Sequence, residues 1–192
     1  MSLNDFIKKA ELLDVKKFEN EIKIAVLSNF THRGLLETIK VKTSELNTNC
    51  LTYSCGYNQY SQEMLDPSSN LYKFSSDLIF LMLDLSNFFG NDFYSIDSFP
   101  IESKKEMIEN KIAEIKNLIN SFQNRNNSKI IIFNFPIPIY SPKGINEFKT
   151  NYGLKEMVAN LNQALYDFSK TKSSVYVYDF NAFVMYYGQQ NI

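Results

Sequence analysis

The sequence predicts one α/β domain, a three-layer sandwich whose middle layer is a sheet of five parallel strands. Three observations support this prediction. Short runs of apolar and β-branched residues alternate with longer amphipathic segments along the chain. The run at 77–83 is apolar at nearly every position, which is typical of a parallel strand buried on both faces. The length of 192 residues suits one substantial core and is too short for two ordinary domains.

The predicted elements follow in a regular order. The strands lie at 22–27, 50–54, 77–83, 129–133 and 175–178. The helices lie at 4–18, at 31–45, at 58–72 with a break around Asp66-Pro67, at 108–122, at 152–168 and from 182 onward. The helix at 108–122 is the clearest, because its apolar residues recur at spacings of four and three.

Right-handed crossovers between such strands favour the flavodoxin-like order 2-1-3-4-5. Ligands of these sheets bind beyond the carboxyl ends of the strands. Ser28-Asn29 should follow the first strand at that edge, 56–58 the second, 84–87 the third and 134–138 the fourth. The sequence therefore predicts polar groups at three successive strand ends.

Composition and charge argue against several classes of protein. Lys and Arg total 20 and Asp and Glu total 21, so the net charge of -1 gives no field that draws the chain to nucleic acid or to an anionic membrane. No apolar run approaches the roughly 20 residues that span a bilayer, and no stretch resembles a signal peptide. One histidine and two cysteines, Cys50 and Cys55, cannot build an ordinary closed zinc site. We expect a cytoplasmic protein with reduced thiols, without metal or cofactor, that binds neither nucleic acid nor membrane.

The sequence lacks the common phosphate-binding and nucleophile motifs. It contains no G-x-G-x-x-G, no G-x-x-x-x-G-K-[ST] and no G-x-S-x-G. A flavodoxin-like cofactor binder is therefore a weaker hypothesis, since its phosphate-binding loop is missing.

Ser28 is the candidate catalytic nucleophile, because a small hydroxyl directly follows a central strand; the same hydroxyl could instead cap the next helix. His32 is the sole histidine and so the only histidine base within these residues, although a position in the first helical turn could point it away from Ser28. Gly56, Asn58 and Asn87 could donate hydrogen bonds to an oxyanion, or could simply form turns and helix starts. Asp179, after the last strand, could orient a base or cap the last helix.

Several blocks of the sequence together resemble the N-terminal domain of FkbH-like proteins. The blocks are Ile-Ala-Val-Leu-Ser-Asn-Phe-Thr at 24–31, Gly-Tyr-Asn-Gln-Tyr at 56–60, Leu-Asp-Pro-Ser-Ser-Asn-Leu-Tyr at 65–72, Ser-Asp-Leu-Ile-Phe at 76–80, Asn-Phe-Pro-Ile-Pro at 134–138, Val-Tyr-Asp at 177–179 and Gly188. The resemblance covers about residues 20 to 192, and the block at 56–60 is the most specific.

The resemblance implies an SGNH-hydrolase-like fold, which agrees with the strand order above. In fuller FkbH-like proteins a HAD-type phosphatase-like domain follows, and the protein loads a glyceryl unit onto an acyl carrier protein, as in bacterial polyketide or secondary metabolism. Residues 1–192 are then a single SGNH-like domain with 1–20 as a helical extension, a fragment of a longer chain. No D-x-D-x-T motif of the HAD type occurs here. The implied partner is an acyl carrier protein or the downstream HAD-type domain.

The SGNH motifs themselves are matched only in part. If Thr31 anchors the comparison, Asn29 falls where the nucleophile belongs, and a one-residue shift is needed to place Ser28 there. Gly56 corresponds to the oxyanion glycine of the second block, and Asn58 or Asn87 to the asparagine of the third. The Asp-x-x-His of the last block should lie beyond the fifth strand, and none occurs within these residues.

These departures leave three hypotheses. The first is an FkbH-type domain that takes part in glyceryl or acyl transfer to a carrier protein and has a degenerate or incomplete hydrolase site. The second is an active ester or thioester hydrolase, or acyltransferase, that uses Ser28. The third is a non-catalytic module that docks a carrier protein. Because carrier proteins are commonly acidic, docking predicts a basic patch, formed by Lys23, His32, Arg33, Lys40 and Lys42.

Overall fold

The computed structural model describes residues 2–14 and 17–188. Its centre is a sheet of five strands, β1 (Asn20–Ser28), β2 (Thr48–Ser54), β3 (Leu78–Met82), β4 (Lys129–Phe133) and β5 (Val175–Tyr178). All neighbouring strands are parallel, in the order β2-β1-β3-β4-β5. The predicted fold class and strand order are therefore confirmed.

Nine α-helices connect or flank these strands in the described part of the chain. They are α1 (Leu3–Glu11), α2 (Leu35–Ser44), α3 (Tyr60–Leu65), α4 (Asn70–Phe74), α5 (Leu85–Phe89), α6 (Asp92–Ser95), α7 (Ile101–Gln123), α8 (Leu154–Lys170) and α9 (Phe180–Tyr187). Two 3-10 segments, Ile96–Ser98 and Gly144–Lys149, precede α7 and α8. Within residues 2–14 and 17–188, we find no helix that combines the length and apolar character needed to cross a membrane.

The main core lies between one face of the sheet and the helices α7 and α8. Leu27, Leu81 and Ile132 point to this face from β1, β3 and β4, and all three are buried. The apolar seam of α7, which includes Ile115 and Ile119, packs against them. Burying one such side chain stabilises the fold by roughly 1.5–3 kcal/mol. This core holds the carboxyl edge of the strands in place.

The opposite face of the sheet carries α2 and α9. Phe133 of β4 and Tyr178 of β5 lie side by side there, with ring centroids 4.8 Å apart. Phe180 and Phe183 of α9 continue this aromatic layer, at 5.8 Å from Phe133 and 6.4 Å from Tyr178. Ser28 belongs to the same face, because it follows Leu27, which points to the main core, and successive residues of a strand point to opposite faces.

Three helix predictions need correction, and one of them is the helix predicted at 108–122, which begins at Ile101. The helix predicted at 31–45 begins only at Leu35, because the chain turns through Gly34 at a left-handed φ of 79°. The prediction that His32 lies in the first helical turn is therefore wrong. The helix predicted at 4–18 ends at Glu11; residues 15 and 16 lie outside the described residues.

Candidate functional site

The predicted nucleophile lies at the very end of β1. The Ser28 side chain is only 2% exposed, and its hydroxyl donates a hydrogen bond of 2.8 Å to the carbonyl of Phe30. It therefore does not cap α2, whose N-terminal cap position is Gly34. A serine nucleophile needs its proton directed to a base and its oxygen open to substrate. Ser28 has neither property in this arrangement.

The sole histidine is not paired with Ser28. Nδ1 of His32 is buried without a hydrogen-bond partner, and the ring meets the Phe30 ring edge to face at 6.4 Å. No hydrogen bond within the described residues joins His32 to Ser28, to Asp84 or to Asp179. The orienting contacts of a catalytic dyad or triad are therefore missing in this structure.

Asn29, which takes the nucleophile position if Thr31 anchors the SGNH comparison, uses its side chain to join the end of β1 to the loop after β3. Nδ2 donates to the carbonyl of Asp84 at 3.1 Å, and Oδ1 accepts from the amide of Asp84 at 2.7 Å. The side chain is 1% exposed, so both bonds are shielded from water. Asn29 thereby joins the end of β1 to the loop between β3 and α5.

Asn87 lies next to this tie, as the sequence predicts for a strand-end amide. Its Nδ2 donates to the carbonyl of Asn29 at 3.2 Å, and its backbone amide donates to the Asp84 carboxylate that caps α5. One of its two amide protons is therefore engaged in holding the loop. The structure brings Asn87 to Ser28-Asn29, but as a structural contact.

Gly56 and Asn58 form a surface turn after β2. The amide of Gln59 donates to the carbonyl of Gly56 at 3.1 Å, and Asn58 adopts a left-handed φ of 55°. Both residues are exposed, and no side-chain hydrogen bond in the described part of the chain links them to Ser28 or Asn29. Among the described residues, Asn87 alone of the predicted oxyanion donors is hydrogen-bonded to Ser28-Asn29.

Cys55 contacts the end of β1 from the second strand. Its Sγ donates to the carbonyl of Ser28 at 3.9 Å. Burial raises the pKa of the Cys55 thiol, and the negative charge of Glu63 adds to this rise. The thiol is thus kept protonated, which disfavours it as a nucleophile.

A second set of asparagines fixes the loops after β4 and β5; the sequence predicts Asn134 at this edge, whereas Asn162 and Asn181 were not predicted. Asn134 donates to the carboxylate of Asp179 at 2.8 Å and to the hydroxyl of Tyr166, and it accepts from the amide of Asn181 at 2.8 Å. Asn162 of α8 bonds both backbone groups of Phe135. Asn134, like Asn29, comes directly after a buried strand, which is why the sequence places it at this edge. Asp179 caps α9 by accepting from the amide of Ala182 at 3.0 Å, which is one of its two predicted roles.

An open cleft lies at this edge, between the loop after β1 and the end of β2. Its volume is about 310 Å³, and we call it the His32–Arg33 cleft. It is lined by Phe30, Thr31, His32, Arg33, Ser54, Cys55 and Tyr57. Arg33 is exposed and takes part in no ion pair among the described residues. Within residues 2–14 and 17–188, including this cleft, we find no group of three His, Cys, Asp or Glu side chains that could hold a metal ion.

The residues of the predicted basic patch are spread along the molecule. Lys23 lies five residues before the end of β1, about 16 Å from the carboxyl edge. Lys40 and Lys42 lie in the second half of α2, and Lys42 pairs with Glu45 at 2.9 Å. Only His32 and Arg33 lie at the edge itself.

Comparisons with known proteins identify the family of this chain and other proteins that share its fold. A family model for the FkbH N-terminal domain matches residues 23–192, and no curated protein matches the sequence. The solved N-terminal part of BF1531 from Bacteroides fragilis, which contains a phosphatase domain and was crystallised with Mg, superposes with a TM-score of 0.81 at 15% identity. The alignment covers 99% of this chain and 48% of that one, so this chain spans about half the length of that protein.

Two esterase-type structures share the fold at lower similarity. A catalytic mutant of the acetylxylan esterase Axe2 from Geobacillus stearothermophilus gives a TM-score of 0.52 at 11% identity, over 88% of this chain and 82% of its own. The lipase Lip_vut3 from a goat rumen metagenome gives 0.54 at 12% identity, over 84% and 81%. Such low identities establish a common fold and no activity. Because the family model covers nearly all of the sheet and its helices, the chain belongs to the FkbH N-terminal domain family.

Proposed function

We propose that this domain serves glyceryl or acyl transfer to an acyl carrier protein as a binding module, and that it does not hydrolyse esters itself. The carrier would meet the carboxyl edge of the sheet. A phosphatase-like HAD-type domain would supply the chemistry of transfer. The free thiols of Cys50 and Cys55 suit a cytoplasmic setting.

One observation carries the non-hydrolytic part of this proposal. Both polar atoms of the Asn29 side chain are engaged with the backbone of Asp84, at the place where the SGNH comparison puts the nucleophile. The neighbouring hydroxyl of Ser28 is buried and bonded to a carbonyl. An esterase site built here would need at least one of these two side chains released and a base brought to it.

The partner part rests on the family and on one structural neighbour. BF1531 contains a phosphatase domain, and this chain corresponds to about half of the solved length of that protein. A domain without an assembled nucleophile, beside a domain with phosphoryl chemistry, is suited to hold the acceptor in reach. Because the two domains would have separate tasks, binding and chemistry, we propose the carrier protein as the partner that this domain binds.

The test of the non-hydrolytic part is labelling with a fluorophosphonate, which reacts with activated serines. We expect no mass increase of the intact chain under conditions that fully label a control serine hydrolase. Labelling that disappears in Ser28→Ala would contradict the proposal and would establish an activated Ser28. The exposed-site variant Ser103→Ala controls for unspecific modification of surface hydroxyls.

The test of the partner part is a titration of the isotopically labelled chain with an acyl carrier protein, followed by NMR. We expect saturable shifts of amide signals in the loops after β1, β2 and β3, weakened by added salt because the carrier is acidic. Shifts spread evenly over the molecule, or none at millimolar carrier, would overturn carrier binding. An unrelated acidic protein of similar charge is the matched control.

A further inference from the structure

We propose that the His32–Arg33 cleft binds the phosphoryl group of a phosphate ester. The source of that group is either a free small phosphate ester or the phosphopantetheine arm of a carrier protein. The second source rests on the proposed function, whereas phosphoryl binding itself rests on the cleft. The cleft is small, about 310 Å³, which is near the lower end of ligand sites and suits a compact group.

The polar groups of this cleft are unengaged, unlike those of the surrounding edge. In the described part of the chain, the side chains of Thr31, Arg33, Ser54 and Tyr57 make no hydrogen bond and no ion pair. Asn29 and Asn134, on the same edge, each have both the amide nitrogen and the amide oxygen bonded to the protein. The cleft thus gathers three hydroxyls and a guanidinium that remain available to a ligand.

The burial of Nδ1 determines which ring nitrogen of His32 carries the proton and can donate a hydrogen bond. Nδ1 has no hydrogen-bond partner and is shielded from solvent beside Phe30. A buried N–H without an acceptor is costlier than a buried lone pair, so the neutral ring is expected to carry its proton on Nε2. His32 lines the cleft, and on this proposal its second ring nitrogen donates a hydrogen bond to the ligand.

The charge of the cleft favours an anion. Arg33 supplies a permanent positive charge and up to five donors. The helix α2 starts two residues later without a side-chain cap, which adds partial positive charge at this end. Glu37 of the first helical turn is outside the lining. Donors arranged around a guanidinium suit a tetrahedral oxyanion with several acceptor oxygens, which a flat carboxylate fills less well.

The aromatic side chains indicate an ester in place of a bare ion. Tyr57, which is exposed, and Phe30, which contacts His32, both line the cleft. Apolar surface of this kind can cover the organic part of a ligand while the polar groups hold its phosphate. A phosphodiester on a flexible arm and a small phosphate monoester both have this composition.

The sole histidine makes the test direct, because the imidazole protons of His32 give one isolated pair of NMR signals. These signals are followed while the full chain is titrated at fixed pH with inorganic phosphate, with phosphopantetheine and with pantetheine, which lacks the phosphate. Saturable shifts are expected with phosphate and phosphopantetheine and none with pantetheine. Arg33→Gln should weaken binding about tenfold or more, as expected when a charge-assisted hydrogen bond is lost. Lys40→Gln is the matched control, since it removes the same charge about 10 Å further along α2.

The outcomes separate this inference from the proposed function. No shift with either phosphate compound, acetate as effective as phosphate, or equal binding by Arg33→Gln overturns phosphoryl binding, even if a carrier protein still binds. Phosphopantetheine that binds at least tenfold more tightly than inorganic phosphate supports the arm as the source. Equal affinities for phosphopantetheine and inorganic phosphate overturn the phosphopantetheine arm as the source and leave a free phosphate ester as the ligand. Phosphoryl binding without carrier binding contradicts the proposed function alone.

Discussion

At the scale of single residues, the carboxyl edge of this sheet is organised by asparagine side chains. Asn29 bonds both backbone groups of Asp84, and Asn162 does the same for Phe135. A primary amide suits this task because its nitrogen donates and its oxygen accepts, which matches the C=O and N–H groups of one residue. The loops that would carry catalytic groups in a hydrolase are held here by such ties.

The Asn29 tie gives a stability prediction. Asn29→Ala should lower the free energy of unfolding by about 2 kcal/mol, because the two buried backbone groups of Asp84 lose their partners. Asn29→Asp should be at least as harmful, since a carboxylate cannot donate to the Asp84 carbonyl. Urea unfolding measures both. Asn49→Ala, which removes an exposed amide bonded to Glu21, should stay within about 0.5 kcal/mol; equal losses at 29 and 49 would contradict the assigned role.

At the scale of elements, α3 is anchored to α7 through a buried tyrosine. The hydroxyl of Tyr60, the first residue of α3, donates to Oε1 of Glu114 at 3.5 Å. Burial raises the pKa of Tyr60 well above its usual range, and the charge of Glu114 adds to the effect. Tyr53 of β2 also has a raised pKa, from burial first and from Glu63 second. Both phenols are therefore held neutral in the fold.

This arrangement predicts a loss of stability at high pH. In the unfolded chain, tyrosines ionise near pH 10, whereas Tyr60 and Tyr53 keep their protons in the fold. The unfolded state then binds fewer protons than the folded state, so the free energy of unfolding falls as pH rises above about 10. Urea midpoints between pH 8 and 11 measure this slope. Tyr60→Phe should flatten it, whereas the exposed-site variant Tyr94→Phe should leave it unchanged; the reverse pattern would contradict the assignment.

The elements also show why some of the structure was predictable. The strands at 129–133 and 175–178 match the prediction residue for residue, because short apolar runs between polar turns leave little choice. The helices α5 and α6 were not predicted, because segments of five and four residues show no helical period and depend on local caps such as Asp84.

The site was less predictable than the fold. The position of Asn29 at a strand end follows from the sequence, but its bonding to the backbone of Asp84, 55 residues away, depends on tertiary packing. The prediction for His32 depended on where α2 begins, and the turn at Gly34 places that start four residues after the predicted one. Contacts between distant loops leave no periodic signal in a sequence.

At the scale of the whole molecule, the layers contribute unequally to the fold. The sheet with α7 and α8 holds the main core, whereas α1 has no buried residue and packs on the surface of α2. The family model starts at residue 23, after α1. The side chain of Leu3 nevertheless lies over Gly34, so α1 covers the turn that starts α2.

Removal of α1 should therefore leave a cooperative fold. A chain that starts at Glu19 should unfold in a single urea transition, with a midpoint lowered by less than about 1 M, because surface contacts are lost and the core is kept. Circular dichroism in the far and near ultraviolet measures this. Ile119→Ala in the core of α7 should cost about 2–5 kcal/mol and provides the comparison. Loss of the near-ultraviolet signal on truncation would show that α1 belongs to the cooperative unit.

The Asn29 tie restricts how this sequence could evolve toward ester hydrolysis. A serine at position 29 has a shorter side chain with a single oxygen and cannot replace both bonds to Asp84. The substitution that introduces a nucleophile would thus loosen the loop after β3 before any base was in place to activate it. Every mutational path that starts with this step passes through a less stable and still inactive intermediate. Selection for stability therefore disfavours this first step unless a compensating substitution in the loop after β3 precedes it.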